Sequence, residues 1–88
     1  MLEILYFSAP WCGPCKALKP IIDKIEFELD SNKVLIKRID IDVATSISIE
    51  YEISSVPTFV FIKDKEVVDR FTGVKSMKEI QSLISKWS

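Results

Sequence analysis

The chain has 88 residues, of which 48 % are hydrophobic and 28 % charged, and its formal net charge is −1. This length predicts one domain, residues 1–88, with a small hydrophobic core. The balanced charge offers no basic surface for nucleic acid and no acidic tail for a charged partner. Its two cysteines are too few for a secreted fold stapled by disulfides. The first apolar run is short and begins beside Glu3, so we expect neither a signal peptide nor a membrane span, and favour a cytoplasmic protein.

The amino-terminal half predicts a strand, a helix and a second strand. The apolar run Leu2–Phe7 is too short for a helix and fits a strand buried on both faces. From Cys15 onward the apolar residues recur with helical period, which predicts an amphipathic helix. The residues of this apolar face are Leu18, Ile21, Ile22, Ile25 and Leu29. Pro20 lies inside the helix and should kink it, and Val34–Ile39 predicts the second strand.

The segment after the second strand is harder to assign. Asp40 and Asp42 are typical of a strand end that leads into a turn. Between residues 44 and 53 the apolar residues alternate with polar ones, which favours a strand. Ile47 and Tyr51, however, are four residues apart and fit a helix equally well, so the period leaves both possibilities open.

The carboxyl-terminal part predicts a hairpin and a last helix. Thr58–Ile62 and Val67–Phe71 are strands that a short turn joins. Ser76 is followed three residues later by Glu79, which is the pattern of a capping box at a helix start. The buried stripe of this helix is predicted to be Met77, Ile80, Ile84 and Trp87.

The two cysteines, Cys12 and Cys15, are separated by two residues and lie between the first strand and the first helix. Such a pair can alternate between a disulfide and a dithiol, which indicates a redox pair. Half of a metal site is the competing interpretation, but a structural zinc site needs four Cys or His ligands. The chain has no histidine and no third cysteine, so only a zinc or iron–sulfur site shared across a dimer remains open.

The motif Trp11-Cys12-Gly13-Pro14-Cys15 resembles the active site of thioredoxins. The resemblance extends to Pro20, to Val56-Pro57-Thr58 and to Gly73, and it covers nearly the whole chain. What the usual thioredoxin has in addition is an amino-terminal strand and helix. The chain therefore resembles a shortened thioredoxin.

The resemblance implies an α/β, thioredoxin-like fold with the element order β-α-β-α-β-β-α. We number the strands β1 to β4 and the helices α1 to α3. The implied four-stranded mixed sheet has the order β2-β1-β3-β4, which leaves β2 as an edge strand. Residues 44–51 would form a short helix on the sheet face opposite the other two helices.

The resemblance also implies the roles of the site residues. Cys12 would be the attacking thiolate at a helix start, and Cys15, expected to be the more buried, would resolve the mixed disulfide. Trp11, Gly13 and Pro14 would complete the active-site loop. Substrate would bind at Val56, Pro57, Thr58 and Gly73, with a cis peptide bond before Pro57.

The implied activity is reduction of protein disulfides by a cytoplasmic monomer that needs no cofactor or metal. Its partners would be disulfide-containing proteins and a thioredoxin reductase, with no nucleic acid and no membrane. Two alternatives are a glutaredoxin-like reductase that uses glutathione and a binding module in which the thiols are incidental. An oxidase or isomerase is disfavoured by the Gly-Pro pair between the cysteines.

One position departs from the family pattern. Most thioredoxins carry a buried aspartate on the first core strand behind the second cysteine, and the matching residue here is Tyr6. The lysine that usually neighbours this aspartate matches Arg38. Neither a phenol nor a guanidinium is a base at neutral pH, so the sequence leaves open what takes the proton of Cys15.

Overall fold

The computed structural model describes all 88 residues as a four-stranded sheet covered by helices on both faces. The elements in chain order are β1 (Leu2–Ser8), α1 (Gly13–Glu28), β2 (Val34–Asp40), α2 (Thr45–Glu50), β3 (Thr58–Lys63), β4 (Glu66–Thr72) and α3 (Met77–Trp87). The sheet order is β2-β1-β3-β4, with β2 parallel to β1 and the other pairs antiparallel. The predicted fold class, element order and sheet order are confirmed.

Strand β1 is central and is buried along almost its whole length. Successive side chains of a strand point to opposite faces, so β1 contributes to two separate cores. Leu2, Ile4 and Tyr6 face α1 and α3, whereas Leu5 and Phe7 face the side that α2 covers. An apolar run without alternation is what burial on both faces requires.

Helix α1 runs unbroken through Pro20 from Gly13 to Glu28, and Pro14 lies in its first turn, where a missing N–H costs no hydrogen bond. It buries the expected face against the sheet, and Arg38 of β2 fastens its outer side. The guanidinium of Arg38 lies 2.7 Å from a carboxylate oxygen of Asp23 and 3.2 Å from one of Glu26. These two partly exposed ion pairs link the outer side of α1 to β2.

The ambiguous segment after β2 forms helix α2, as the family resemblance implies. The period of its apolar residues alone does not decide between a helix and a strand. Ile47 packs with Phe7 and Val60 in the second core, on the opposite sheet face from α1 and α3. Ser48, an unusual residue for a buried helix face, donates its hydroxyl to the carbonyl oxygen of Ala44 at 2.9 Å. Packing onto the sheet therefore stabilises a helix that propensity disfavours.

The carboxyl-terminal elements follow the sequence pattern with one refinement. The capping box of Ser76 and Glu79 is present, with both hydrogen bonds formed. Only Ile80 and Ile84 of the predicted stripe are buried, while Met77 and Trp87 cover the rim of the core. None of the three helices combines the length and apolar character that crossing a membrane requires.

Candidate functional site

The two cysteines lie at the amino-terminal end of α1 and are joined by a disulfide, with their Cα atoms 5.3 Å apart. Cys12 is the N-cap residue, and its backbone is extended as a cap requires. Its Sγ accepts a hydrogen bond of 3.1 Å from the backbone N–H of Cys15. The helix start therefore directs an otherwise unpaired N–H donor at the first sulfur.

The expectation that Cys15 would be the more buried cysteine is wrong for the oxidised protein. Cys12 is 4 % exposed and Cys15 is 5 % exposed. Both pack with Ala9, and Ile41 and Val56 close the cluster from the neighbouring loops. The two cysteine residues are thus buried to nearly the same extent.

Trp11, by contrast, lies open on the surface with 66 % of its area exposed. Its indole Nε1 donates a hydrogen bond of 3.0 Å to Oδ2 of Asp42 in the loop after β2. This bond holds a large apolar side chain beside the disulfide without burying it. Trp11 is thus an exposed aromatic side chain directly before Cys12 in the chain.

The second predicted part of the site is the segment before β3. The peptide bond between Val56 and Pro57 is cis, as predicted. The backbone N–H of Gly73 donates to the carbonyl oxygen of Pro57 at 2.8 Å, and Gly73 has a φ of +100°. Because Val56 also packs against the cysteines, these residues lie together beside the disulfide.

Thr58 is placed differently from its predicted neighbours. Its side chain is 1 % exposed, and its hydroxyl donates to the carbonyl oxygen of Ser55 at 2.7 Å. The same hydroxyl lies 3.2 Å from that of Thr72 on β4. The side chain of Thr58 therefore supports the turn before β3 from inside.

Arg70 is a residue of this region that sequence reasoning did not identify. Its guanidinium donates to the carbonyl oxygens of Tyr51 at 2.6 Å and Glu52 at 3.1 Å. These carbonyls end α2, where a cation is favourable, and Glu52 has a positive φ of 54°. Arg70 on β4 thereby anchors the segment that leads to Val56 and Pro57. No local pattern marks such a contact.

Tyr6 fills the space behind Cys15. Its ring stacks on Phe59 with 4.8 Å between centroids, and its hydroxyl donates to the carbonyl oxygen of Cys15 at 3.3 Å. Burial raises the pKa of the Tyr6 phenol, and the charge of Arg38 offsets this in part. The phenol is therefore neutral at physiological pH and acts as a hydrogen-bond donor.

A cavity of about 290 Å³ opens between the start of α1 and the ends of β1 and β2. Its lining includes Tyr6, Ser8, Cys15, Lys16, Arg38 and Asp40. Asp40 is partly buried, and its Oδ1 accepts the backbone N–H of Asp42 at 2.9 Å. The predicted turn at the end of β2 is thus confirmed, and its first carboxylate borders the same space as Cys15.

No group of three or more Cys, Asp or Glu side chains is close enough together to hold a metal ion. A cysteine pair that caps a helix on a mixed sheet of order β2-β1-β3-β4 defines the class of thioredoxin-fold proteins. The family model described as Thioredoxin matches residues 2–86. The chain therefore belongs to the thioredoxin family.

Curated relatives and solved structures agree with this assignment. The chain is 41 % identical over 83 residues to mitochondrial thioredoxin of Mus musculus, covering 94 % of this chain and 49 % of that protein. It thus spans about half the length of that relative. It is 38 % identical over 80 residues to thioredoxin of Bacillus subtilis, covering 91 % of this chain and 76 % of that protein.

Among solved structures, the germline-specific thioredoxin Deadhead of Drosophila melanogaster superposes with a TM-score of 0.90 at 29 % identity, covering 99 % of this chain and 81 % of that one. Thioredoxin of Fasciola hepatica gives 0.89 at 32 % identity, with the same coverage of 99 % and 81 %. The fold of this chain is that of a thioredoxin.

Proposed function

We propose that this chain is a thiol–disulfide oxidoreductase that reduces disulfide bonds of other proteins through Cys12 and Cys15. The observation that carries the proposal is the position of the pair. The two residues are within disulfide-bonding reach, and the first sulfur receives an N–H donor at the start of α1. Membership of the thioredoxin family supports the same activity.

The reaction proceeds through two sulfur displacements. In the reduced protein, the N–H of Cys15 and the helix dipole stabilise the thiolate of Cys12. This thiolate attacks a substrate disulfide, forms a mixed disulfide and releases one substrate thiolate. Cys15 then loses its proton and attacks the Sγ of Cys12. The Cys12–Cys15 disulfide forms, the bond to the substrate breaks, and the second substrate thiolate leaves.

The residues around the pair would bind the substrate and shape the loop. We assign Val56, Pro57, Thr58 and Gly73 to the binding of an extended segment of the substrate, which would form hydrogen bonds with backbone groups of Val56. The buried hydroxyl of Thr58 supports the turn before β3 from inside the protein. Trp11 would add apolar contact, while Gly13 and Pro14 set the conformation of the loop between the sulfurs.

The electron donor in this proposal is a thioredoxin reductase, and the substrates are disulfide-containing proteins. We further propose that residues 1–88 act as one monomeric domain in the cytoplasm, without nucleic acid or a membrane as partner. A single sheet shared by both cores supports one domain. No cofactor enters the exchange, because the two sulfurs carry the electrons.

The test compares two electron sources with a protein disulfide as substrate. Turnover with a thioredoxin reductase and a nicotinamide donor, and little with glutathione alone, supports the proposal; turnover with glutathione alone would favour a glutaredoxin-like enzyme. Cys12→Ser should abolish turnover, and Cys15→Ser should trap the mixed disulfide. If the double variant Cys12→Ser, Cys15→Ser fully retained the biological role of the wild-type protein, the chain would instead be a binding module.

A further inference from the structure

The second displacement requires Cys15 to lose a proton inside the protein. Cys15 is buried, and a thiol attacks only as a thiolate. A proton acceptor near Cys15 would therefore speed this step at neutral pH. The groups available are those that line the cavity beside it, since this is where Cys15 borders a space that reaches solvent.

Of these groups, only one is a base at neutral pH. Burial raises the pKa of Tyr6, which keeps its phenol protonated. Lys16, Lys19 and Arg38 are cations that favour a thiolate but accept no proton. The remaining ionisable group of the lining, and its only carboxylate, is Asp40.

The sheet register explains why Asp40 reaches this cavity. Tyr6 and Ser8 lie on the face of β1 that α1 covers, and they pair with Arg38 and Asp40 of β2. Alternation along the strands therefore places these four residues on one face. Because Ser8 is small, the space between it and the helix start is large enough to hold water, and the polar side chains of Ser8, Lys16 and Asp40 are among those that line it.

We propose that Asp40 is the proton acceptor for Cys15, through water in this cavity, during release of the substrate. The inference rests on the proposed reductase function. Asp40 accepts the proton from the water and does not contact the sulfur itself. In most thioredoxins the buried aspartate lies on the first core strand, at the position of Tyr6, whereas the acceptor proposed here lies at the end of the neighbouring strand β2.

The step is balanced. The proton of Cys15 passes through water to the carboxylate of Asp40, the bond between the two cysteine sulfurs forms, and the bond from Cys12 to the substrate breaks. The departing substrate thiolate takes up a proton from solvent or from Asp40. No additional oxidant or reductant is needed, since two electrons pass from Cys15 and Cys12 to the substrate over the two displacements.

The test isolates the second displacement in the full chain. Reduced protein is mixed with dithiobis-nitrobenzoate, whose first coloured thiolate reports attack by Cys12 and whose second reports attack by Cys15. In the wild type, the second rate should stay nearly constant from mildly acidic to neutral pH. In Asp40→Asn it should be at least about tenfold slower near neutral pH, rise about tenfold per pH unit and converge with the wild type at alkaline pH.

Asp40→Asn removes the negative charge but preserves the turn, because the amide oxygen can still accept a hydrogen bond from the N–H of Asp42. Asp40→Glu restores the carboxylate and should recover most of the flat profile. The matched control is Asp64→Asn in the turn between β3 and β4. That turn adjoins Lys63, which pairs with Leu2 at the opposite end of β1 from Ser8. This control should follow the wild type.

The possible results separate the two proposals. If Asp40→Asn kept the wild-type profile, or if Asp64→Asn changed it equally, Asp40 would not be the acceptor. If the wild-type protein released only the first coloured thiolate, the reductase function itself would fail, and the role of Asp40 with it. If the wild type releases the second coloured thiolate normally, and this release is slower in Asp40→Asn but not in Asp64→Asn, the result supports both the reductase function and the role of Asp40.

Discussion

The indole of Trp11 and the carboxylate of Asp42 form a hydrogen bond of 3.0 Å that joins the residue before the first cysteine to the loop after β2. Thirty-one positions separate them in the chain. The carboxylate is exposed and the indole ring remains open to solvent. The bond therefore orders a surface aromatic side chain beside the disulfide without covering it.

Asp42→Ala should release Trp11 and weaken the reaction with protein substrates. A hydrogen bond of this kind contributes about 1 kcal/mol, so we expect kcat/KM for a protein disulfide to fall about fivefold. The rate with a small aromatic disulfide should stay the same, because such a substrate needs no extended contact surface. Asp42→Asn keeps an acceptor for the indole and is the control. An equal loss with both substrates would contradict a role in contact.

The thiol of Cys12 should be more acidic than a free thiol in the reduced protein. The N–H of Cys15 and the start of α1 both favour the thiolate, so its pKa should lie below the ordinary value of about 8.5. Thiolate absorbance in Cys15→Ser, which has a single thiol, measures it directly. The same variant unfolded in denaturant supplies the reference. Identical titrations of the folded and unfolded protein would remove the basis of the proposed mechanism.

Arg70→Met should loosen the segment that precedes Pro57. The guanidinium holds two carbonyl oxygens at the end of α2, and its loss should lower stability by about 1–2 kcal/mol. We expect KM for a protein disulfide to rise while kcat changes little, because the cysteines themselves are not moved. Arg70→Lys retains one charged donor, so its stability and its KM should lie between those of the wild type and those of Arg70→Met. A change in kcat alone would mean that Arg70 acts elsewhere.

Gly73→Ala should destabilise the protein although no atom obstructs the added methyl group. Nothing lies within 4 Å of a Cβ built at Gly73, but its φ of +100° disfavours any L side chain. The expected loss in the free energy of unfolding is about 1–2 kcal/mol. Gly13→Ala is the control, since that site is also open but helical. It should be neutral or stabilising by up to about 1 kcal/mol. Equal stability of both variants in urea would refute the backbone argument.

Trp87→Phe should make the protein less sensitive to acid. The indole N–H of Trp87 donates to Oδ2 of Asp69 at 2.9 Å, and this bond is the main reason that the pKa of Asp69 is lowered. Because the folded pKa lies below the unfolded one, the bond stabilises the protein above the ordinary pKa of about 3.9. That contribution is lost as the pH falls through the folded pKa.

The measurement is the free energy of unfolding from neutral pH down to about pH 2. The decrease should be smaller in Trp87→Phe than in the wild type. In an Asp69→Asn background, the same tryptophan substitution should leave the acid dependence unchanged. If Trp87→Phe altered stability equally at every pH, the indole would act through packing alone.

Helical and hairpin elements were predictable because their signals are local. The period of Leu18, Ile22 and Ile25 specifies α1, and Ser76 with Glu79 specifies the start of α3. The segment 44–53 was not decided by its own residues. Its helix depends on Ile47 packing against strands that are distant in the chain, and short-range propensity is too weak to choose between the two forms.

The cysteine spacing, the capping position of Cys12 and the resemblance at Pro57 and Gly73 were all accessible in the sequence. Only the folded sheet determined which side chains share the space around Cys15. The register of β1 with β2 places Asp40 beside Ser8, and the long side chain of Arg70 on β4 reaches the carbonyl oxygens of Tyr51 and Glu52 at the end of α2. Such contacts join residues that are far apart in the chain, and their distance is fixed by sheet pairing rather than by any local pattern.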